Sequence, residues 1–280
     1  ASLYLPWLYL RLIAALWRQD VDIVQFTHAM FLPLAPLMRI FRYKTVYDSY
    51  EFYALDIALR FPESIHSIVE QVLKKAENTL VRTVDCVLSI DSMNDQLLRR
   101  YSNACSYVTI LCNAPRVEKG RHIERNNDNS ETYQLIYVGG ISIEKGAVRA
   151  INSVSMLQAA GYTVNLHFIG TIQGGELWFW RAVESANVLN SITHTAWLPY
   201  ESMLERIIGA DVALALHQPT ERFRRVSTGN GRKFFTYMQA GLPIIGPEFA
   251  EVGQAVAKTD CGRLVDTTDT EIISDAISEL

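Results

Sequence analysis

Cysteine is scarce in this chain of 280 residues: the four present, Cys86, Cys105, Cys112 and Cys261, form no Cys-x-x-Cys pair and have no histidine nearby at zinc-ligand spacing. That excludes a local zinc module, and the pattern reads as buried thiols in a reducing, cytoplasmic setting. Long hydrophobic runs are missing too. The most apolar stretch, Leu3 to Trp17, is too short to span a bilayer and is interrupted by Pro6 and Arg11. It is expected to form an amphipathic helix buried in a domain, with peripheral membrane contact left open. Charge of one sign is also lacking, since 26 Lys and Arg stand against 30 Asp and Glu, for a net charge of −4. Without a basic tract carrying interleaved aromatics, nothing favours a nucleic-acid partner. No Ser-His-acid or Cys-His set can be assembled from local spacing.

What is present is the composition of a packed protein, 49% hydrophobic and 20% charged, at a length that suits two domains. Short apolar runs alternate with helical patterns, as in a parallel sheet covered by helices. In the first half the expected strands are Asp22 to Phe26, Lys44 to Tyr47, Asp85 to Ile90 and Val108 to Leu111. Helical patterns cover Leu32 to Phe41, Ile65 to Val81 and Met93 to Tyr101. The polar stretch 116–131 reads as a linker between a first domain, 1–115, and a second, 132–280. There the strands are Leu135 to Val138, Val164 to Ile169, Ile192 to Trp197, Val212 to Leu216, Pro243 to Ile245 and Arg263 to Val265. Val148, Ile151, Val154 and Leu157 recur every three residues, and Met203, Leu204, Ile207 and Ile208 share one helical face.

Open parallel sheets bind ligands at the carboxyl ends of their strands, so the residues after each strand are the candidates for chemistry. Val138-Gly-Gly-Ile-Ser-Ile-Glu-Lys-Gly146 leaves a strand, turns on Gly139 and Gly140 and starts a helix beside Lys145. Glycines admit a phosphate close to the backbone, a helix start offers free N–H groups, and the lysine adds a full charge. A tight strand-to-helix turn with a solvated lysine is the bland alternative. The long loop from His217 to Lys233 carries Arg222, Arg224 and Arg225. It continues through Ser227, Thr228, Gly229, Asn230, Gly231 and Arg232 into an apolar helix, a second anion seat or a plain surface loop. Tyr47-Asp-Ser-Tyr-Glu-Phe52 places acidic and phenolic groups after a strand, and His28 is the histidine placed to meet a cleft. Asp20-Val-Asp22, the only Asp-x-Asp, precedes a strand and reads as solvated.

The ordered set of Val-Gly-Gly, then Glu-Lys-Gly opening a helix, then Gly-Ala-Asp211-Val, then Lys-Phe-Phe-Thr-Tyr-Met-Gln-Ala-Gly-Leu-Pro-Ile-Ile resembles the retaining GT-B glycosyltransferases of the sucrose-synthase-like and mannosyltransferase-like group. Asp22 to His28, Val46 to Glu51 and Val87 to Ile90 resemble the acceptor domain of the same group more loosely. The resemblance implies an α/β GT-B fold, two Rossmann-like parallel-sheet domains facing across a cleft. It implies a nucleotide-diphosphate-sugar donor on the second domain, a saccharide or glycolipid acceptor on the first, and hexosyl transfer with retention. No metal and no cofactor are expected.

Residue by residue, Lys145 matches the family lysine on the donor diphosphate, Gly139 and Gly140 match its glycine turn, and Lys233 matches a lysine of members reading Lys-x-x-Glu-Tyr-Met. Arg232, Gly229, Thr228 and Thr236 complete the implied donor set, while His28, Glu51 and Lys145 are the implied catalytic groups. Departures are specific. Gly140 stands where an arginine often follows the turn, Thr228 and Thr236 replace two glutamates with seven residues between them, and Tyr50 replaces a histidine. These losses support an alternative, a catalytically impaired GT-B-like binding or scaffold subunit. A sugar-nucleotide epimerase of the same fold is disfavoured because its acidic and histidine catalysts cannot be placed. The chain also lacks the glycine-rich first strand of the family and stops before its last helices, so an incomplete first domain and weak activity of this chain alone are expected.

Overall fold

The computed structural model describes residues 4–89, 95–111, 132–225, 232–249 and 256–280. The chain divides into two compact units, Ala1–Cys112 and Asn113–Leu280. The proposed linker, and Thr228 and Gly229 with it, lies outside the described residues.

In the first unit β1 (Ile23–Phe26), β2 (Lys44–Ser49), β3 (Cys86–Ser89) and β4 (Val108–Ile110) form a parallel sheet in the order β1-β2-β3-β4. Helix α1 (Tyr4–Leu16) precedes it. Tyr9, Leu12, Ile13 and Leu16 of α1 pack against the core of Phe26, Leu32, Met38, Tyr47, Val87 and Tyr101. The expectation of a buried helix is corrected here: no described residue of α1 is fully buried, and Trp7 and Leu10 face outward. Among the described residues no helix is long and apolar enough to cross a membrane.

The run from Leu32 to Phe41 is not one helix. It divides into a 3-10 segment, Ala29–Leu34, and α2 (Ala35–Ile40), because Pro33 and Pro36 bring no N–H for continuous i→i−4 bonding. A short helix unmarked by the sequence pattern, α3 (Tyr53–Ala58), follows β2. Helix α4 (His66–Val81) forms as expected but turns an unexpected face inward: Glu77 is 7% exposed, while Ile68 and Val72 are 63% and 62% exposed. The reason is a buried polar network. Glu77 pairs with Arg100 at 2.6 Å and accepts hydrogen bonds from the Tyr47 and Tyr101 hydroxyls at 2.7 and 2.8 Å. Arg100 belongs to α5 (Asp95–Ser102), so the network ties two helices to β2.

The second unit is a six-stranded parallel sheet. Its strands are β5 (Thr132–Val138), β6 (Thr163–Ile169), β7 (Ile192–Thr195), β8 (Val212–Leu214), β9 (Ile244–Pro247) and β10 (Gly262–Val265), in the order β10-β9-β8-β5-β6-β7. Side chains alternate along β5: Leu135 and Tyr137 enter one core with Ile151, Val154, Leu157 and Ile273, and Ile136 and Val138 enter another with Leu204, Ile207, Phe234 and Tyr237. The first core is closed by α6 (Ala147–Ala159), α7 (Leu177–Ser185) and the last helix, Thr270–Ser278. The second is closed by α8 (Tyr200–Ile208) and the helix Arg232–Gln239, which is preceded by a short α9 (Glu221–Arg225) and is called α10 below. Chain order runs outward in both directions from the neighbours β5 and β8, so the topological switch point lies between them. A crevice at the carboxyl ends of these two strands is where such a sheet binds its ligand.

Candidate functional site

The segment that leaves β5 is held in place by its own backbone. Gly139 takes φ +111° and donates its N–H to Ile169 at 2.8 Å. Ile141 then bridges to Ile172, and Ser142 caps a 3-10 turn, Ile143–Lys145. Gly146 must be glycine, because it sits at φ +81° and a Cβ there would lie 2.0 Å from the Leu216 carbonyl oxygen. The expectation of free N–H groups at this helix start is corrected in part. The N–H groups of Lys145 and Ala147 are taken by the Ser142 carbonyl, and that of Gly146 by Ile143. Positive charge at this turn therefore comes mainly from side chains.

Those side chains converge. A Cβ placed on Gly140 would meet Lys145 Nζ at 2.9 Å and Gln173 Nε2 at 2.8 Å, and one on Gly139 would meet Lys233 Nζ at 3.9 Å. Lys233 comes from the first turn of α10 and lies over the Tyr137 ring, 4.7 Å from its centroid. Tyr137 in turn donates its hydroxyl to the Lys145 carbonyl at 3.0 Å. One turn further along α10, the Tyr237 hydroxyl oxygen accepts the Val138 N–H at 2.8 Å, which pins the helix carrying Lys233 to the end of β5.

The electrostatics are one-sided. Lys233 Nζ is buried without a hydrogen-bond partner. Its pKa is pushed down to about 7 by burial and then by the neighbouring Lys145 charge. His217, which follows β8 and is 6% exposed, also has a buried, unpartnered Nδ1. Its ring lies 4.7 Å from Phe223 and stacks on Phe234 at 6.1 Å. Burial, then Lys233, then Lys145, hold its pKa well below the usual value. Buried polar atoms in folded proteins are nearly always satisfied, so two orphaned nitrogens, Lys233 Nζ and Nδ1 of the neutral His217 ring, mark this place as unusual.

The structure thus gathers Gly139, Gly140, Lys145 and Lys233, four of the residues anticipated, at the switch point. Thr236 is buried within α10, and Arg232 begins that helix, with its side chain outside the described residues. The site also contains His217, Gln173 and Tyr137, which no sequence motif marks as site residues. His217 was legible on the same ground as His28, since it too follows a strand.

In the first unit His28 and Glu51 both border Tyr53. The His28 ring lies 4.2 Å from the Tyr53 ring, and the Glu51 carboxylate adds, after burial and Tyr50, to the rise of the Tyr53 pKa. His28 Nδ1 accepts the Met30 N–H at 3.1 Å. Burial and then Arg60 lower its pKa, so the neutral ring carries its proton on Nε2 and presents a donor rather than a base. Asp20 and Asp22 are exposed ahead of β1, as expected.

A doubly wound parallel sheet with a cationic seat at its switch point, following a unit with a second parallel sheet, has the architecture of a GT-B glycosyltransferase. Residues 118–280 match the family model described as glycosyl transferases group 1, and the chain belongs to that family. No curated protein is significantly similar in sequence. Among solved structures, sucrose-phosphate synthase from Thermosynechococcus elongatus superposes with a TM-score of 0.69 at 14% identity, covering 98% of this chain and 68% of its own. HepE from Anabaena in complex with UDP gives 0.68 at 12% identity, covering 92% and 68%. WaaG, a glycosyltransferase involved in lipopolysaccharide biosynthesis, gives 0.59 at 14% identity, covering 93% and 77%. At these identities the likeness establishes the fold.

Proposed function

We propose that the second unit holds a nucleoside-diphosphate sugar by its diphosphate, and that the protein transfers a hexosyl group with retention to a saccharide or glycolipid acceptor. The observation that carries this reading is the buried, unpartnered Lys233 Nζ beside Lys145 and the Gly139-Gly140 turn. A diphosphate supplies negative charge beside both lysines and the acceptor that Lys233 Nζ lacks. HepE has been solved with UDP and with UDP-glucose, which supports a ligand of this chemical class.

Departure of a nucleoside diphosphate builds negative charge on its phosphate oxygens, and preorganised cations stabilise that charge most when they are buried. Lys145 and Lys233 provide it in this reading without a divalent cation. Arg232, Thr228, Gly229 and Thr236 complete the donor side, and Glu51 and the His28 Nε2–H act on the acceptor side. Retention and the acceptor class rest on the resemblance of the motifs. Peripheral membrane contact through the exposed Trp7 and Leu10 of α1 belongs to the same reading and would bring a glycolipid within reach.

Transfer of radiolabelled sugar from a panel of nucleotide sugars, with wild type and Lys145→Ala, tests the assignment. Transfer unaffected by the substitution would overturn the site. Binding without any transfer would favour the second reading, an impaired binding subunit, to which the buried Thr236 in place of a carboxylate points.

A further inference from the structure

Lys233 and His217 share a surrounding in which every identified charge influence is positive. Lys145 acts on Lys233, and Lys233, Lys145 and Arg222 act on His217. These groups come from separate elements: Lys145 from the turn after β5, His217 from the end of β8, Arg222 from α9 and Lys233 from α10. Uncharged groups also lie here: Tyr137, over whose ring Lys233 sits, Phe223 and Phe234 against His217, Gly139 beside Lys233, and Gln173 and Gly140 beside Lys145. No carboxylate is among the influences on either buried group. An ammonium with no hydrogen-bond partner, next to another ammonium and away from water, sheds its proton more readily than it stays charged.

We infer that the seat takes up a proton together with its anion: above neutral pH Lys233 is largely without its proton while the site is empty, and it becomes an ammonium when a diphosphate lies between it and Lys145. This rests on the reading of the seat as a diphosphate site and adds a property to it. The ligand class is a fully ionised diphosphate diester, which brings acceptors but no proton of its own. Solvent supplies the proton, and it stays on Lys233 Nζ, where the phosphate oxygens accept its hydrogen bond. No bond of the ligand is made or broken in this step.

Proton uptake links affinity to pH. With Lys233 pushed down to about 7 in the empty site, affinity for a nucleotide sugar is expected to weaken about thirty-fold between pH 6 and pH 8.5. Lys233→Arg keeps a permanent charge and should bind with an affinity nearly independent of pH in that range. Nucleotide sugars are the probes of choice because their diphosphate does not titrate there, unlike that of a free nucleoside diphosphate.

The experiment is isothermal titration calorimetry of the full chain with UDP-, GDP-, ADP- and dTDP-glucose, at pH 6, 7 and 8.5, in buffer pairs of different ionisation heat. A binding nucleotide sugar that takes up close to one proton at pH 8.5 and little at pH 6, with uptake lost in Lys233→Arg, is the expected result. If Lys233→Arg does not fold or bind, the 13Cε resonance of Lys233 in labelled wild type reads the same proton. It should titrate near neutrality in the empty site and remain in its ammonium position with ligand present. Tight binding with no uptake at pH 8.5, or uptake unchanged in a binding Lys233→Arg protein, overturns the inference and leaves the diphosphate site standing. Absence of binding by every nucleotide sugar at every pH overturns the site assignment itself, and the inference with it.

Discussion

Two lysines of the same cluster are expected to respond differently to substitution. Lys145 sits at the turn with a settled backbone around it, so Lys145→Ala should leave unfolding unchanged while nucleotide-sugar affinity falls by about 1.5–3 kcal/mol, the usual worth of a hydrogen bond to a charged group. Lys233 is buried and unpartnered, and a buried ammonium left without a partner is expected to cost the empty unit stability. Its folded pKa of about 7 lies below the ordinary lysine value of about 10.4, so between those values the unfolded chain binds the extra proton. The stability of the ligand-free protein should therefore rise with pH from about 7 towards 10 and be poorest below 7. Lys233→Met should remove that slope, stabilise the empty protein at pH 7 by about 1–3 kcal/mol and abolish nucleotide binding, as read by urea unfolding across pH and by calorimetry. A destabilised Lys233→Met protein at pH 7 would count against the strained-lysine account. Of this cluster the sequence revealed Gly139, Gly140 and Lys145, which are close together in the chain and follow one strand. Lys233 was visible only through a family motif. Gln173 stayed hidden, and His217, legible only as a residue after a strand, could not be assigned to this cluster, because the fold and not local spacing brings them together.

Among the secondary elements, α4 shows where hydrophobic periodicity misleads. Apolar residues at helical spacing located the helix to within a residue, yet Ile68 and Val72 of that pattern face outward and Glu77 faces inward. A pattern count gives Glu77 no credit, because its partners, Tyr47 on β2 and Arg100 and Tyr101 on α5, are known only once the chain has folded. Glu77→Ala leaves the Arg100 guanidinium buried without its carboxylate and should cost about 3–5 kcal/mol in urea unfolding. Ile68→Ser should stay within about 0.5 kcal/mol, the reverse of what the pattern predicts. The second unit behaves otherwise. Its central strands β8 and β9 are buried on both faces and read as apolar runs, and the buried positions of α6 and α8 include Ile151, Val154, Leu157, Leu204 and Ile207, the residues that periodicity selected. Between those elements, Tyr237→Phe removes the acceptor of the Val138 N–H and should cost about 1–3 kcal/mol while loosening the helix that carries Lys233.

For the whole chain, the two units differ in how directly sequence specifies them. The six-stranded unit carries its ordered motifs at the ends of its strands and coincides with most of the family match. The four-stranded unit offers shorter strands, an α1 with no fully buried residue among those described and a proline-divided helix, so only its alternation was readable. Ligand binding should separate them as well. A ligand that binds only the folded state stabilises it by about 2.7 kcal/mol at a hundredfold excess over Kd, and the gain falls on the structure that must open for the ligand to leave. Hydrogen exchange with a saturating nucleotide sugar should slow in the peptides around Val138 to Ala147, Val212 to Gln218 and Arg232 to Gln239, whose backbones meet at the switch point. Peptides of β1 to β4 should keep their rates in the absence of acceptor. Slowing centred on Asp48 to Ala58 instead would place the nucleotide on the first unit and refute the division of labour. Protection confined to the β5, β8 and α10 peptides would tie the anion to Lys145 and Lys233 without any measurement of turnover, so the site can be judged separately from the activity.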